Sequence, residues 1–423
     1  MCGAISGAST RTMKILFVTH YFPPEVNAPA NRTHEHCRRW VRDGHEVTVI
    51  TGVPNHPRGR IFEGYQNRWI QEEELDGIRV IRTWMYLTPN SGFLRRIVNY
   101  LLFALCAVLA SSRTGEPDLV VATSPQFFVG IAGAIISKWK RCPFVLEIRD
   151  LWPKSIVELG QLRPGPVLSA LETLECWLYR SAAGVVVNTR TFRDHITARG
   201  VEPDRIELVY NGIDPKMFRP RPRSEALLAE HDLANHFTVA YVGTLGLAHG
   251  LMLLIDVAER LKGRAELRFV LIGDGADREK LEAEVARRGL DNVRMLGLQP
   301  REAMPHWIAS IDLLLVMLRD LPVFETVIPS KIFEFLAQER PVVLAARGEI
   351  RRMMEEAGGA LLIGPEDADQ LVGAIEEVMD RPEEAAERAR SGRRWVEEGF
   401  IRDDLARRME TFLERVLVEH QKD

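Results

Sequence analysis

Cysteine is scarce and unpaired in this sequence. Cys2, Cys37, Cys106, Cys142 and Cys176 are scattered, and no two share a Cys-x-x-Cys spacing. Neither a zinc site nor a disulfide framework is suggested, and a reducing cytoplasm fits. Lysine is scarce too, with nine against 46 arginines, so a lysine inside a motif is an unusual choice for this chain. No Gly-x-Gly-x-x-Gly follows a strand and no Walker-type lysine loop exists, which counts against dinucleotide and P-loop chemistry. No Asp-x-Asp stands at a loop expected to face a ligand, so the sequence requires no metal and no cofactor. The longest apolar run, Ile97 to Ala110, has 14 residues and is broken by Asn99. That is short of the roughly 20 residues a membrane-crossing helix needs. An excess of positive charge is also missing: the net charge of −4 gives no case for nucleic-acid binding.

What is present is a regular alternation. A chain of 423 residues suits two domains better than one. Met1 to Thr12 is small and polar and is set aside from fold reasoning. Apolar runs then alternate with amphipathic stretches. Strands are expected at 14–19, 46–51, 78–82, 118–123, 143–148, 184–188 and 206–210. The loop 20–31 holds three prolines and reads as irregular, with a helix following from about Arg32 to Asp43. Asn211-Gly212-Ile213-Asp214 and the proline-rich Phe218 to Arg223 interrupt the rhythm. It restarts with strands at 238–242, 267–272, 293–296, 312–317, 341–345 and 360–363. Helices from 367 to 380 and from 383 to 418 close the chain, the second broken near Gly399-Phe400. Strand, helix, strand, repeated, implies α/β architecture: two doubly wound Rossmann-like domains facing across a cleft, 13–215 and 216–399.

One stretch dominates the second half, Ile328-Pro-Ser-Lys-Ile-Phe-Glu-Phe-Leu336. Proline and serine suit a helix start, and a serine hydroxyl can cap free N–H groups. Ile328, Ile332, Phe335 and Leu336 fall on one apolar face. Lys331 and Glu334, three apart, share a second face. A helix N-terminus with a lysine suits a phosphate, and a carboxylate one turn on can accept from sugar hydroxyls. A solvated Lys/Glu pair on a surface helix is the plainer reading of the same pattern. Gly243-Thr244-Leu245-Gly246 with His249, and Gly273-Asp274-Gly275, are glycine turns after strands, where backbone can approach an anion. In the first half, Arg149 and Asp150 end a strand. Asp150 is the candidate polar group at the sugar or acceptor, against an Arg–Asp pair that merely closes a loop. Glu25, Asn27 and Arg32 are placed to line the cleft, although Arg32 would equally suit a surface helix start. His20 and His249 are more often structural than catalytic.

These motifs carry a resemblance. Tyr21 to Arg32, Glu147-Ile-Arg-Asp-Leu-Trp-Pro153, Asn211-Gly-Ile-Asp214, Ile272-Gly-Asp-Gly275 and Pro329-Ser-Lys-Ile-Phe-Glu334 occur in an order and spacing that resemble the retaining, nucleotide-sugar-dependent glycosyltransferases of the GT-B fold, family 4 type. The chain is most similar to the branch that builds bacterial capsule, O-antigen and exopolysaccharide units. The resemblance implies a C-terminal domain that binds a nucleoside-diphosphate sugar, here taken as UDP-linked. It implies an N-terminal domain for a glycan or polyprenyl-linked acceptor, and a last helix, 400–423, that returns to the first domain. It points to Gly243, Thr244, His249, Gly273, Asp274, Gly275, Ser330, Lys331 and Glu334 as donor contacts, with Asp150, Lys331 and Glu334 carrying the chemistry. Three departures stand out. Thr244 replaces a common basic residue, His249 a common lysine, and Thr326 the glutamate usual eight positions before Glu334.

The charge argument is independent of the resemblance. Breaking a sugar–diphosphate bond puts negative charge on the leaving phosphate, and fixed donors aimed there stabilise the transition state. Lys331 supplies one. Rival readings are a nucleotide-sugar 2-epimerase on the same fold and a partner subunit that has lost its site. Lipid-linked acceptors would place the protein in the cytoplasm, peripheral on the inner face of the cell membrane. Arg95-Arg96 followed by Ile97 to Ala110 is the expected contact, and a core helix with a basic flank is its alternative.

Overall fold

The computed structural model describes residues 12–56, 59–88, 93–124, 126–158 and 160–422; the polar stretch set aside at 1–11 lies outside them. The first half runs β1 (Lys14–Val18), α1 (Ala28–Arg42), β2 (Glu46–Gly52), β3 (Ile70–Leu75), β4 (Ile78–Thr83), α2 (Phe93–Ala110), β5 (Leu119–Thr123), α3 (Phe127–Lys140), β6 (Phe144–Ile148), α4 (Lys154–Glu158), α5 (Pro166–Ser181), β7 (Gly184–Val187), α6 (Arg190–Ala198) and β8 (Ile206–Leu208). The second half runs α7 (Glu225–Glu230), β9 (Phe237–Val242), α8 (Met252–Arg260), β10 (Leu267–Ile272), α9 (Arg278–Arg288), β11 (Val293–Gly297), α10 (Met304–Ser310), β12 (Leu313–Met317), α11 (Lys331–Ala337), β13 (Val342–Ala345), α12 (Glu349–Ala357), β14 (Leu361–Ile363), α13 (Ala368–Asp380), α14 (Pro382–Gly399) and α15 (Arg402–His420).

Two sheets result. The first has eight strands in the order β3-β4-β2-β1-β5-β6-β7-β8; the second has six, β11-β10-β9-β12-β13-β14. The central strands are short apolar runs buried along their length, such as LVVAT in β5 and LLLVM in β12. Such runs need helices on both faces, and both sheets have them. All pairings are parallel except β3 against β4. That edge strand, Ile-Gln-Glu-Glu-Glu-Leu, carries no apolar alternation and was not expected from the sequence. Its pairing rests on cross-strand charge: Glu72 meets Arg79 at 2.8 Å and Glu73 meets Arg82 at 2.6 Å.

Two helix boundaries differ from expectation. α1 begins at Ala28, four residues before Arg32, because Asn27 accepts from the Ala30 N–H at 2.9 Å and Pro29 sits in the first turn. Proline there starts a helix instead of breaking one. α2 spans 18 residues, longer than the uninterrupted apolar run, because Phe93, Leu94, Arg95 and Arg96 belong to it.

The chain passes from one sheet to the other after β8 and comes back at Phe400. The N–H of Ile213 donates to Phe400 O, and the N–H of Arg402 donates to Ile213 O, at 2.9 and 2.8 Å. The two passages thus form a two-stranded hinge, backed by Phe333, Trp395 and Phe400 stacked on one another. α15 then packs on α1 and β7, burying Met409, Phe412, Leu413, Val416 and Leu417 in the core of the first sheet. His45 helps seat it. The Met13 N–H donates to His45 Nδ1, so Nε2 carries the proton and donates to Glu410 Oε1 at 2.9 Å. Leu413 is fully buried, so Leu413→Ala should destabilise the first domain by about 2–5 kcal/mol, read as a lower urea midpoint of its unfolding transition. A wild-type midpoint would show that α15 is not part of that core.

Candidate active site

The second domain supplies a charge without a partner. β9 and β10 end in two glycine turns pressed backbone on backbone. A Cβ on Gly273 would stand 1.9 Å from Gly243 O, and one on Gly275 would stand 2.3 Å from Leu245 O. Gly243 and Gly273 also sit at φ +131° and +146°, where side chains are strained. Lys331, from the first turn of α11, lies across this floor. Its Nζ sits 3.7 Å from the centre of the Tyr241 ring, and 3.0 Å from where a Gly243 Cβ would be. The Nζ is buried and has no hydrogen-bond partner. Burial holds the ammonium down at about 7 against the partial support of Glu334. A buried cation without a counterion is costly, and an anion arriving there would relieve it.

The rest of this side is prepared for polar contact. His249 donates from Nδ1 to Met317 O at 3.1 Å, leaving Nε2 as an acceptor. Burial first, and then Lys331, holds its pKa near 3, so the ring is neutral. The Tyr241 hydroxyl donates to Thr244 O at 2.9 Å and fixes the turn, while the Thr244 side chain is exposed. Asp274 has partners in its own turn and in α9. It accepts from the Gly275 N–H at 2.9 Å and lies 3.9 Å from Arg278.

Ser330 does not act as expected either. It stands before α11 in helical conformation and makes no capping bond with its side chain. α11 has only seven residues, so its dipole is small and Lys331 is the dominant charge. Glu334 and Lys331 do not form a solvated surface pair. Glu334 faces a hinge cavity with Arg32, His36, Asn211, Ser330 and Arg402, and burial raises its pKa against Arg402, Arg301 and Lys331. Thr326 is buried and donates to Val323 O at 2.7 Å, so its hydroxyl is committed within its own turn.

In the first domain three sequence candidates are tied into their own domain, and of these Arg32 also lines the hinge cavity. Arg32 is buried: Nε meets Glu147 Oε1 at 2.8 Å, Nη1 donates to Tyr210 O at 2.6 Å and Nη2 to Val209 O at 2.9 Å. Burial would raise the pKa of Glu147, yet Arg32, Arg149 and His36 hold it at about 2. Glu25 faces the loop after β2, accepting from the N–H groups of Asn55 and His56 at 3.0 and 2.9 Å. Burial raises it to about 7. Asn27 is the cap of α1.

Arg149 and Asp150 do not pair. Arg149 leaves Nε and Nη1 buried without hydrogen bonds, and burial lowers it to about 10 despite Glu147. Asp150 accepts from Ser155 Oγ at 3.2 Å, and burial raises it to about 6.

A polar cluster beside Asp150 was missed in the sequence. Arg96 and Tyr100 of α2 stand close enough to Tyr21 and Gln126 to act on one another electrostatically. Arg96 also acts on Asp150. Next to it, His20 Nε2 bonds Asn99 Oδ1 at 2.8 Å, and burial holds His20 neutral, near 3. The signal was available: Arg96, Asn99, Tyr100 and Phe103 recur at helical spacing inside an apolar run.

The site therefore has two walls. One carries Lys331, Gly243 and His249; the other carries Asp150 and Arg96. Short α4, directly after Asp150, packs on the 3-10 turn Pro322–Thr326 that leads into α11.

The Glycosyl transferase 4-like domain family matches residues 27–212, and the family Glycosyl transferases group 1 matches 225–395. The "Putative colanic acid biosynthesis glycosyl transferase WcaI" of Escherichia coli (strain K12) is 26% identical over 381 residues, covering 88% of this chain and 93% of its own. The 2-deoxystreptamine glucosyltransferase of Streptomyces kanamyceticus is 25% identical over 319 residues, covering 71% and 78%. Among solved structures, Anabaena Alr3699/HepE in complex with UDP-glucose has a TM-score of 0.70 at 19% identity, covering 95% of this chain and all of its own. Sucrose-phosphate synthase from Thermosynechococcus elongatus has a TM-score of 0.75 at 18% identity, covering 96% and 99%; at these identities both speak for the fold alone. With two facing Rossmann-like domains, both matched by glycosyltransferase families, the chain belongs to the family 4 type of GT-B glycosyltransferases.

Proposed function

We propose that this enzyme moves a sugar from a UDP-linked donor to a glycan or lipid-linked acceptor in bacterial surface polysaccharide synthesis, with retention of configuration. The observation that carries the donor assignment is the unpartnered Lys331 ammonium over the Gly243 floor. Charge that develops on the leaving diphosphate meets a fixed cation in a water-poor site. His249 Nε2, an acceptor, faces the donor as a neutral group that can hold a sugar hydroxyl. Asp150 on the opposite wall accepts a hydroxyl proton or orients the acceptor. The relative named for colanic acid biosynthesis and the neighbour solved with UDP-glucose favour this choice of pathway class and nucleotide. No step in this scheme needs a metal or a cofactor.

The membrane reading rests on α2. Its outer face exposes Leu94, Val98, Leu101, Leu105 and Leu109, a stripe that runs the length of the helix. α3 packs beside it and exposes Ile135 and Trp139. Arg95 of α2 and Lys138 of α3 are exposed, as is Arg113 in the turn that follows α2. The window Leu94–Arg113 has mean hydropathy 1.6 and is long and apolar enough to cross a bilayer. Arg96 and Asn99 on its inner face are tied to the domain, which favours a helix lying flat on an anionic lipid surface. The Arg95-Arg96 pair expected as the contact is split: Arg95 faces out, and Arg96 faces Tyr100 and Asp150.

Three tests follow from this reading. UDP binding should re-protonate Lys331. The apo ammonium is penalised by burial, a penalty fully present below about 7 and relieved as pH rises toward its ordinary value. A bound diphosphate reverses this. Calorimetry at pH 8 in two buffers of different ionisation enthalpy should therefore show proton uptake, and affinity should fall as pH climbs above 7. Lys331→Met should abolish the uptake and weaken UDP roughly ten- to a hundred-fold; an unchanged isotherm would remove Lys331 from the donor site. Sugar transfer should survive EDTA, and loss restored by magnesium or manganese would reveal a metal-dependent step. The protein should co-sediment with anionic vesicles more than with neutral ones, and Leu101→Ser/Leu105→Ser should release it. Equal pelleting of wild type and double variant would show that this stripe is not the contact.

A further inference from the structure

The Glu349 carboxylate belongs to the second domain but is bound by the first. Glu349 opens α12, and its side chain reaches the N-terminus of α6. Oε1 accepts from the Arg190 N–H at 2.7 Å, and Oε2 accepts from the Thr191 N–H at 2.8 Å and the Thr191 hydroxyl at 2.7 Å. Glu349 is only 2% exposed. Three donors on one carboxylate at a helix N-terminus form a short, charge-assisted set. Two further ion pairs between the domains are longer: Glu35 of α1 meets Arg301 at 3.5 Å, and Arg190 meets Glu356 of α12 at 4.0 Å.

The residue before Glu349 ties it to the donor wall. Gly348 has φ +74°, and a Cβ there would stand 2.0 Å from Glu325 O and 2.4 Å from Glu325 Cα. Backbone therefore lies on backbone with no room between. Glu325 belongs to the 3-10 turn Pro322–Thr326, which feeds directly into Ile328, Ser330 and Lys331. The same turn carries α4, the element that follows Asp150. The segment 322–331 is thus in continuous contact, through Gly348 and Glu349, with α6 of the opposite domain. Neither Glu349 nor Thr191 lines the donor wall.

We propose that Glu349 is a positioning residue: its clasp on Arg190 and Thr191 holds the cleft closed, setting the spacing between the Lys331 and Asp150 walls once the donor loop is ordered. The proposal rests on the donor assignment for its catalytic consequence, but not for closure itself. Small-angle X-ray scattering of the full chain, with and without UDP, reads closure. Steady-state transfer reads its consequence. Glu349→Ala should enlarge the radius of gyration in both states. It should lower kcat about tenfold or more, as expected for losing hydrogen bonds to a charged group, and leave the UDP dissociation constant within about twofold. Glu349→Gln, which keeps an acceptor for the two N–H groups, should recover part of kcat. Thr191→Val, which removes one donor from the opposite domain, should give a smaller loss of the same kind and decides the matter if Glu349→Ala does not fold. Wild-type scattering and wild-type kcat in the folded variants would overturn the proposal. UDP binding weakened as much as kcat would overturn it too, by placing Glu349 in the donor site. If the wild type binds no UDP, the nucleotide assignment fails while the apo scattering comparison still tests the clasp.

Discussion

A single buried guanidinium fixes where the first domain ends. Arg32 leaves α1, pairs with Glu147 at the end of β6 and spends its remaining donors on the carbonyls of Val209 and Tyr210, where the chain departs from β8. The pair is 6% and 3% exposed, so removing one partner would strand a charge in low dielectric, which costs far more than a surface ion pair contributes. Everything that faces the cleft from the first domain depends on this geometry. It orients the strand end that carries Arg149 and Asp150. It also fixes the hinge at Ile213, against which Phe400 returns. The fixed hinge gives α15 a defined path back onto the first sheet.

Against that rigid frame the donor wall is electrostatically unfinished. Lys331 has an aromatic face and a glycine floor but no acceptor, and burial holds it near the point of losing its proton. Glu334, which could neutralise it, is drawn toward Arg301 and Arg402 at the hinge. The two residues were read as one face of a helix, yet Glu334 lines the hinge cavity while the Lys331 head lies over Tyr241 and Gly243. Separation keeps the ammonium available for an anionic ligand. A contact Lys331–Glu334 pair would have satisfied the lysine and offered a phosphate nothing.

Much of the architecture was legible because parallel strands buried on both faces must be apolar along their length, and β5, β7 and β12 are. β3 was not legible, because its pairing depends on arginines one strand away and its own sequence is acidic. Lys331 stood out by the rarity of lysine and by its neighbours. Arg32 and Glu25 carried the right chemistry for a cleft, but their partners, Glu147 and two carbonyls for Arg32 and backbone N–H groups for Glu25, are brought in by the fold. Glu349 had no local signal whatever: a glutamate at the first turn of a helix is a common capping choice, and only the position of α6 in the other domain gives it a role. Residues whose function lies in a partner far along the chain are the ones a linear reading loses.

The helix α2 shows the same limit from the opposite direction. An apolar helix on a soluble domain normally turns its leucines inward and its charges out. α2 does the reverse over much of its length, with Arg96, Asn99 and Tyr100 against His20, Tyr21 and Gln126, and leucines on the outside. Burying polar groups is costly unless they are hydrogen-bonded; Asn99 is satisfied by His20 and the Tyr86 carbonyl, while Arg96 Nε and His20 Nδ1 stay unpartnered. The first half of the inward face, Arg96 to Tyr100, is therefore turned to the site, while the second half, Phe103, Ala107 and Ala110, is fixed by core packing. The outward face is left to whatever covers five aligned apolar side chains. A helix so divided links the cleft to the outer surface of the domain. An acceptor with an apolar tail and a polar head could meet both faces without leaving it.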